Sequence, residues 1–218
     1  MISEIRLDHV TVSAGGREIL QDINLVVRQG ESLAITGPSG SGKTTLLMLA
    51  AGLQLPSRGR VLMDGQPIGT DDRARQRFGV VLQNHGLVSV LTAAENVALP
   101  LQARGVPTQE VARLAQAGLD AVGLHAAGDA LVQDLSGGQQ QRVAVARALA
   151  GSPDAVLADE PTSELVAEQR KLIVELLLRQ AREGRILVIA SHDPEVVGAC
   201  ARQVPLVDGR QVVSAVPG

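Results

Sequence analysis

The sequence predicts an α/β fold: a mostly parallel sheet covered by helices, an antiparallel β layer at the N-terminal end, and a helical subdomain inserted ahead of the last strands. Three observations carry it. Residues alternate apolar and polar over the first thirty positions, short apolar runs then alternate with helical patterns, and a glycine-rich loop separates one such run from a helix.

The alternation in EIRLDHVTVS and then ILQDINLVV is that of strands buried on one face, and GRVLMDGQPI continues it with Asp64-Gly65 as a turn signal. These make up the β layer. SLAIT (32–36), VVL (80–82), AVLA (155–158) and ILVIA (186–190) are apolar throughout, as strands covered on both faces are. Helical patterns run over 43–51 and 168–183, the second closed by Gly184 in the place of a C-cap. From about 84 to 150 no strand pattern stands out. There Thr92 and Glu95 form a capping box opening AENVALPLQ, Thr108 opens EVARLAQAGLDAVGL, and Ser136 with Gln139 marks a third helix start. The expected arrangement is a single domain over 1–218, with the β layer and core in 1–83 and 151–218 and the helical subdomain over about 84–150.

Composition narrows the function. With no Trp, no Tyr and Phe78 alone, the core must be built of Leu, Val, Ile and Ala. A net charge of −3 provides no general attraction for nucleic acid, whose binders carry a basic face, so DNA or RNA is not expected as a partner. The single cysteine, Cys200, excludes an internal disulfide, fits a reducing compartment and reads as a small packing residue. MISEIRLD lacks the basic and apolar regions of a signal peptide, and no apolar run approaches the roughly 20 residues that cross a bilayer. A cytoplasmic chain is expected, with any membrane role borrowed from another chain.

The run GPSGSGKTT, made of Gly37, Pro38, Ser39, Gly40, Ser41, Gly42, Lys43, Thr44 and Thr45, has the full G-x-x-x-x-G-K-[ST] spacing between an apolar strand and a helix. That context makes it the P-loop of a nucleoside triphosphatase core. Glycines let backbone amides converge on phosphate oxygens, Lys43 reaches the β and γ phosphates, and the Thr44 hydroxyl ligates Mg²⁺. AVLADEPT places Asp159 and Glu160 at the end of a second buried strand. Acidic residues before a proline are most often turn formers. Paired with the glycine loop, Asp159 is placed to hold hydrated magnesium and Glu160 to orient or deprotonate the attacking water. His192 ends a third strand and reaches the γ phosphate on one reading, while on the other it is structural. His9, His85 and His125 have no such setting.

Taken in order, these motifs resemble those of the ATP-binding cassette (ABC) transporter ATPase subunits, over essentially the whole chain. The resemblance adds a Q-loop in FGVVLQ ending at Gln83, a signature LSGGQ whose Ser136, Gly137, Gly138 and Gln139 follow Leu135, and the switch histidine in His192. LTAAENVALPLQARG and the compact length further resemble the lipoprotein-release and macrolide-export branch. The family implies ATP and Mg²⁺ as ligands, with Gln83 joining Thr44 and Asp159 at the metal and Glu160, His192, Lys43 and Gln83 in catalysis. It also implies head-to-tail pairing with a second copy or a homologous cassette, so that Ser136 and Gly138 face the γ phosphate held by the other chain. An integral membrane permease would receive the pair on the inner face of the cell membrane, near Gln83 and GLVSVLTAAENVALPL. Two departures stand out. The position of the adenine-stacking aromatic is Ala14, and SELV (163–166) puts Val166 where relatives carry aspartate, with Glu164 a possible substitute. A regulatory or cell-division-type cassette with weak hydrolysis remains the alternative; phosphate release that is lost with Lys43→Ala separates the two.

Overall fold

The computed structural model describes residues 1–68 and 72–212. The chain opens with β1 (Glu4–Ala14) and β2 (Arg17–Arg28), followed by β3 (Ser32–Thr36), α1 (Lys43–Ala50), β4 (Arg58–Met63), β5 (Gln66–Pro67), the short α2 (Asp72–Arg75) and β6 (Phe78–Val81). Then come α3 (Ala93–Ala103), α4 (Thr108–Ala121) and α5 (Gly137–Ala150) without an intervening strand. The core resumes with β7 (Ala155–Asp159), α6 (Ala167–Arg182), β8 (Ile186–Ala190), α7 (Pro194–Ala199), β9 (Arg202–Val207) and β10 (Arg210–Gln211).

Two sheets result. The N-terminal layer has the order β2-β1-β4-β5 and is antiparallel throughout, as the alternating pattern predicts. Its β4–β5 turn has positive φ at both Asp64 (53°) and Gly65 (77°), the geometry that an Asp-Gly pair supplies in a tight hairpin. The second sheet has the order β10-β9-β3-β8-β7-β6, parallel except for the β10 edge. β6 lies at 78–81 rather than 80–82, and β9 and β10 are not foreseen by the apolar pattern. In β9 the reason is Pro205, which reads as a breaker. Its missing amide falls at the end of the β9–β10 pairing, where its carbonyl accepts from the Val212 amide at 2.9 Å.

Strand alternation divides the core in two. Leu33, Ile35, Leu157, Ile186 and Val188 face α1 and the N-terminal layer, whereas Ala34, Val156, Ala158, Leu187 and Ile189 face α5, α6 and α7. Valines 143 and 145 of α5 belong to the second cluster, so the inserted helices share a continuous core with the sheet. Buried Asn96 of α3 ties in the segment before it, accepting from the Val88 amide and donating to the Val88 and Thr92 carbonyls.

Capping boxes form at Thr92 with Glu95 and at Ser136 with Gln139, as predicted. Thr108 differs: it is the first helical residue of α4, Pro107 occupies the cap, and no side chain caps the helix. Gly184, with φ 84°, follows the C-cap of α6 in the left-handed conformation expected of it. Cys200 is buried, its thiol pushed up to about 11 by that burial, which fits the packing role. Among the described residues no helix is long and apolar enough to cross a membrane.

Candidate active site

The C-terminal ends of β3, β7 and β8 open on one cleft of about 560 Å³, the edge where open α/β sheets place ligands. The loop after β3 forms its floor. Gly37, Pro38, Ser39, Gly40, Gly42, Lys43, Thr44 and Thr45 all line it, and Gly37, Gly40 and Gly42 have positive φ. The loop is wedged from behind. A Cβ on Gly37 would stand 2.0 Å from the Leu206 carbonyl oxygen, and one on Gly42 would stand 2.6 Å from a Leu20 methyl, so neither position admits a side chain. Ser41 is the loop residue that does not line the cleft. It is buried behind, and its Oγ has no hydrogen-bond partner among the described residues.

Lys43 Nζ donates to the carbonyls of Gly37 (2.8 Å) and Pro38 (3.0 Å), which holds the ammonium across the loop mouth. Thr44 Oγ1 donates to Asp159 Oδ2 at 2.5 Å. Asp159 is only 3% exposed. Burial raises its pKa and the neighbouring Glu160 charge adds to the rise, against the Thr44 hydrogen bond and the Lys43 charge.

Glu160 is held on every side. Its φ is 47°, a left-handed backbone that non-glycine residues adopt at a cost of order 1–3 kcal/mol. Ser191 Oγ donates to its Oε2 at 3.1 Å, and His192 Nδ1 lies 2.7 Å from its Oε1. An ionised carboxylate only accepts, so Nδ1 carries the proton of that contact and Nε2 is left as the outward nitrogen. The Glu160 carbonyl accepts from Gln141 Nε2 at 2.7 Å and from Ser163 Oγ at 3.2 Å. Gln141 is 1% exposed and its Oε1 accepts from the Glu164 amide, so α5 clamps the loop that follows β7.

Gln83 lines the cleft from the loop after β6. Arg147 of α5 steadies that loop by donating to the His85 and Gly86 carbonyls. The predicted residues thus split. Eight of the nine loop residues, with Gln83, Asp159, Glu160 and His192, come together in the cleft, whereas Ser136, Gly137, Gly138 and Gln139 do not line it. Ile19, Ser163, Ser191 and Gln141 are the neighbours that sequence reasoning missed. Only Ser191 carried a signal, as the residue before His192 at a strand end.

The donor set fits a magnesium–phosphate complex. Thr44, Gln83 and Asp159 offer hard oxygens with a single carboxylate among them, and Mg²⁺ is held by one or two carboxylates plus substrate phosphates rather than by an all-protein cage.

A glycine cradle at a strand-to-helix junction, with an acidic strand end beside it, defines a P-loop nucleoside triphosphatase. Comparison makes the class specific: residues 20–163 match the family model for ABC transporters, and the chain belongs to that family, whose cassettes bind and hydrolyse ATP. It is 43% identical over 201 residues to the lipoprotein-releasing system ATP-binding protein LolD 1 of Rhodopirellula baltica, covering 89% of this chain and 88% of that one. It is 41% identical over 217 residues to the ABC transporter ATP-binding protein YbbA of Escherichia coli K12, covering 94% and 95%. Among solved structures, the dimeric post-hydrolysis state of the ATP-binding cassette MJ0796 bound to ADP and Pi superposes with a TM-score of 0.88 at 34% identity, over 95% of this chain and 97% of that one. The expected fold, the ATPase activity and the likeness to the lipoprotein-release branch are borne out.

Proposed function

We propose that this ATPase subunit works as a head-to-tail pair, with itself or with a homologous cassette, and powers a separate membrane permease through closure on two ATP molecules. The observation that carries this reading is the split site. Ser136 to Gln139 form a capped helix start, an anion-binding end, outside the cleft that holds every other motif. A second chain turned head to tail brings that end to the open side of the cleft, and the relative MJ0796 was solved as a dimer.

Within the cleft, the loop amides and Lys43 grip the phosphates, and Thr44, Gln83 and Asp159 hold Mg²⁺. Bound there by these three side chains, Mg²⁺ would supply neutralisation of phosphate charge. Glu160 accepts the proton of the attacking water, and His192, fixed through Nδ1, presents Nε2 toward the γ phosphate. Val88, Val90 and Leu99 are exposed beside the Gln83 loop and α3, an apolar surface suited to the permease at the cytoplasmic face of the membrane. LolD 1 is named for lipoprotein release, and extraction of a lipid-anchored cargo is the transport step that this likeness favours.

Glu160→Gln tests the pairing. The variant should bind ATP and Mg²⁺, hydrolyse poorly and run as a dimer in light scattering. A nucleotide-saturated variant that stays monomeric, alone and with its permease, overturns the reading.

A further inference from the structure

Glu164 lies in the loop between β7 and α6, yet its carboxylate rests on the first turn of α5. A Cβ built on Gly137 would stand 1.8 Å from Glu164 Oε2 and 3.0 Å from its Cδ, so the carboxylate occupies the space directly over that glycine. The loop is fixed for this approach, since the Glu164 amide donates to Gln141 Oε1 at 2.9 Å. Behind the carboxylate stands His85, which is buried. Its Nε2 lies 3.5 Å from Glu164 Oε1 and has no hydrogen-bond partner among the described residues.

The place so covered attracts anions. The capping box satisfies the Gln139 amide with Ser136 Oγ, while Gly137 and Gly138 supply the remaining amides at the positive end of the helix. On the pairing proposed above, that end must meet the γ phosphate held by the other chain. The same end cannot serve a carboxylate and a phosphate at once.

We propose that Glu164 is a competitor in cis for the signature helix: its carboxylate holds the start of α5 and must leave before a partner's ATP can seat there. The side chain is 45% exposed, so it swings aside without disturbing the core. Head-to-tail symmetry requires two such departures per closure, which sets a threshold of nucleotide concentration for pairing. The inference rests on the composite-site reading, and its test separates the two.

Glu160→Gln and Glu160→Gln/Glu164→Gln chains are titrated with ATP and Mg²⁺, and the dimer fraction is read by light scattering. Glutamine keeps the size of glutamate and removes the charge. Two helix-end contacts together correspond to a dimer about three- to thirtyfold tighter in the double variant. The gap should narrow in about 0.5 M salt, because such contacts are screened, whereas a packing defect would not respond this way. Equal or weaker dimerisation of the double variant, or a gap that ignores salt, overturns the role of Glu164 and leaves the composite site standing. Failure of both chains to dimerise removes the composite site and this proposal with it.

Discussion

The Thr44 hydroxyl donates to Oδ2 of Asp159 across 115 residues of sequence, tying the start of α1 to the end of β7. That bond partly offsets the cost of burying the carboxylate, but burial and the Glu160 charge still leave the Asp159 pKa raised. A raised carboxyl pKa has a definite consequence for stability. The folded state favours the protonated form, so the contribution is fully present below the ordinary value of 3.8 and is lost as pH rises through the folded-state value.

Asp159→Asn should therefore melt higher than the parent at pH 7.5 without nucleotide, and this advantage should shrink toward pH 4. The asparagine carbonyl can still accept from Thr44. Activity should move the opposite way, falling by about 10- to 100-fold with loss of the carboxylate proposed to hold Mg²⁺. Calorimetry at the two pH values with a phosphate-release assay checks both signs. A variant less stable than the parent at pH 7.5 contradicts the buried-charge account.

Gln141→Ala should damage both the fold and the catalysis. The buried amide serves the Glu160 carbonyl, the Ser163 hydroxyl and the Glu164 amide; its removal leaves the Glu164 amide without this acceptor and the Glu160 carbonyl with Ser163 Oγ alone, and a group left unsatisfied costs about 1–3 kcal/mol. A loss of about 2 kcal/mol should appear in the urea midpoint. Glu160 would then relax from its φ of 47°, and hydrolysis should slow more than ATP binding weakens. A stable, fully active Gln141→Ala chain would show that the clamp is dispensable.

How much of this was legible in the sequence follows from how local each feature is. The glycine loop, the capping boxes at Thr92 and Ser136 and the Asp64-Gly65 turn depend on residues a few positions apart, and all formed as read. β9 escaped because Pro205 hides a strand in which its missing amide falls at the end of the β9–β10 pairing. The contacts of Gln141 and Ser191 with Glu160 span 19 and 31 residues, a distance at which no periodicity or spacing survives. Ser41 shows the converse. Its place in the motif does not say where its side chain lies, which is buried behind the loop, because a loop that curls around an anion must turn one side inward.

His192→Ala separates orientation from binding. His192 touches Glu160 by its Nδ1, and its side chain is 75% exposed on the open side of the cleft. Its loss should lower kcat by about 10² or more, the range of a single positioned proton-transfer partner, with a small change in KM. A matching rise in KM with unchanged kcat would instead assign it to ground-state phosphate binding.

Ala14 bears on the choice of base. It ends β1 opposite Arg17, is exposed and does not line the cleft; the residue that the β layer contributes there is Ile19. An isoleucine provides apolar contact with no directional preference, whereas base–aromatic stacking is worth about 1–3 kcal/mol. Several charge-assisted contacts to phosphate, at about 1.5–3 kcal/mol each, outweigh that loss, so nucleotide still binds. ATP and GTP should then compete within about tenfold of each other for the cleft, and Ala14→Tyr should tighten binding of either by roughly 5- to 150-fold. Competition against a fluorescent triphosphate measures both. A strong ATP preference in the unmodified chain means that a polar group reads the adenine edge, because Ile19 alone has no means of telling the two bases apart.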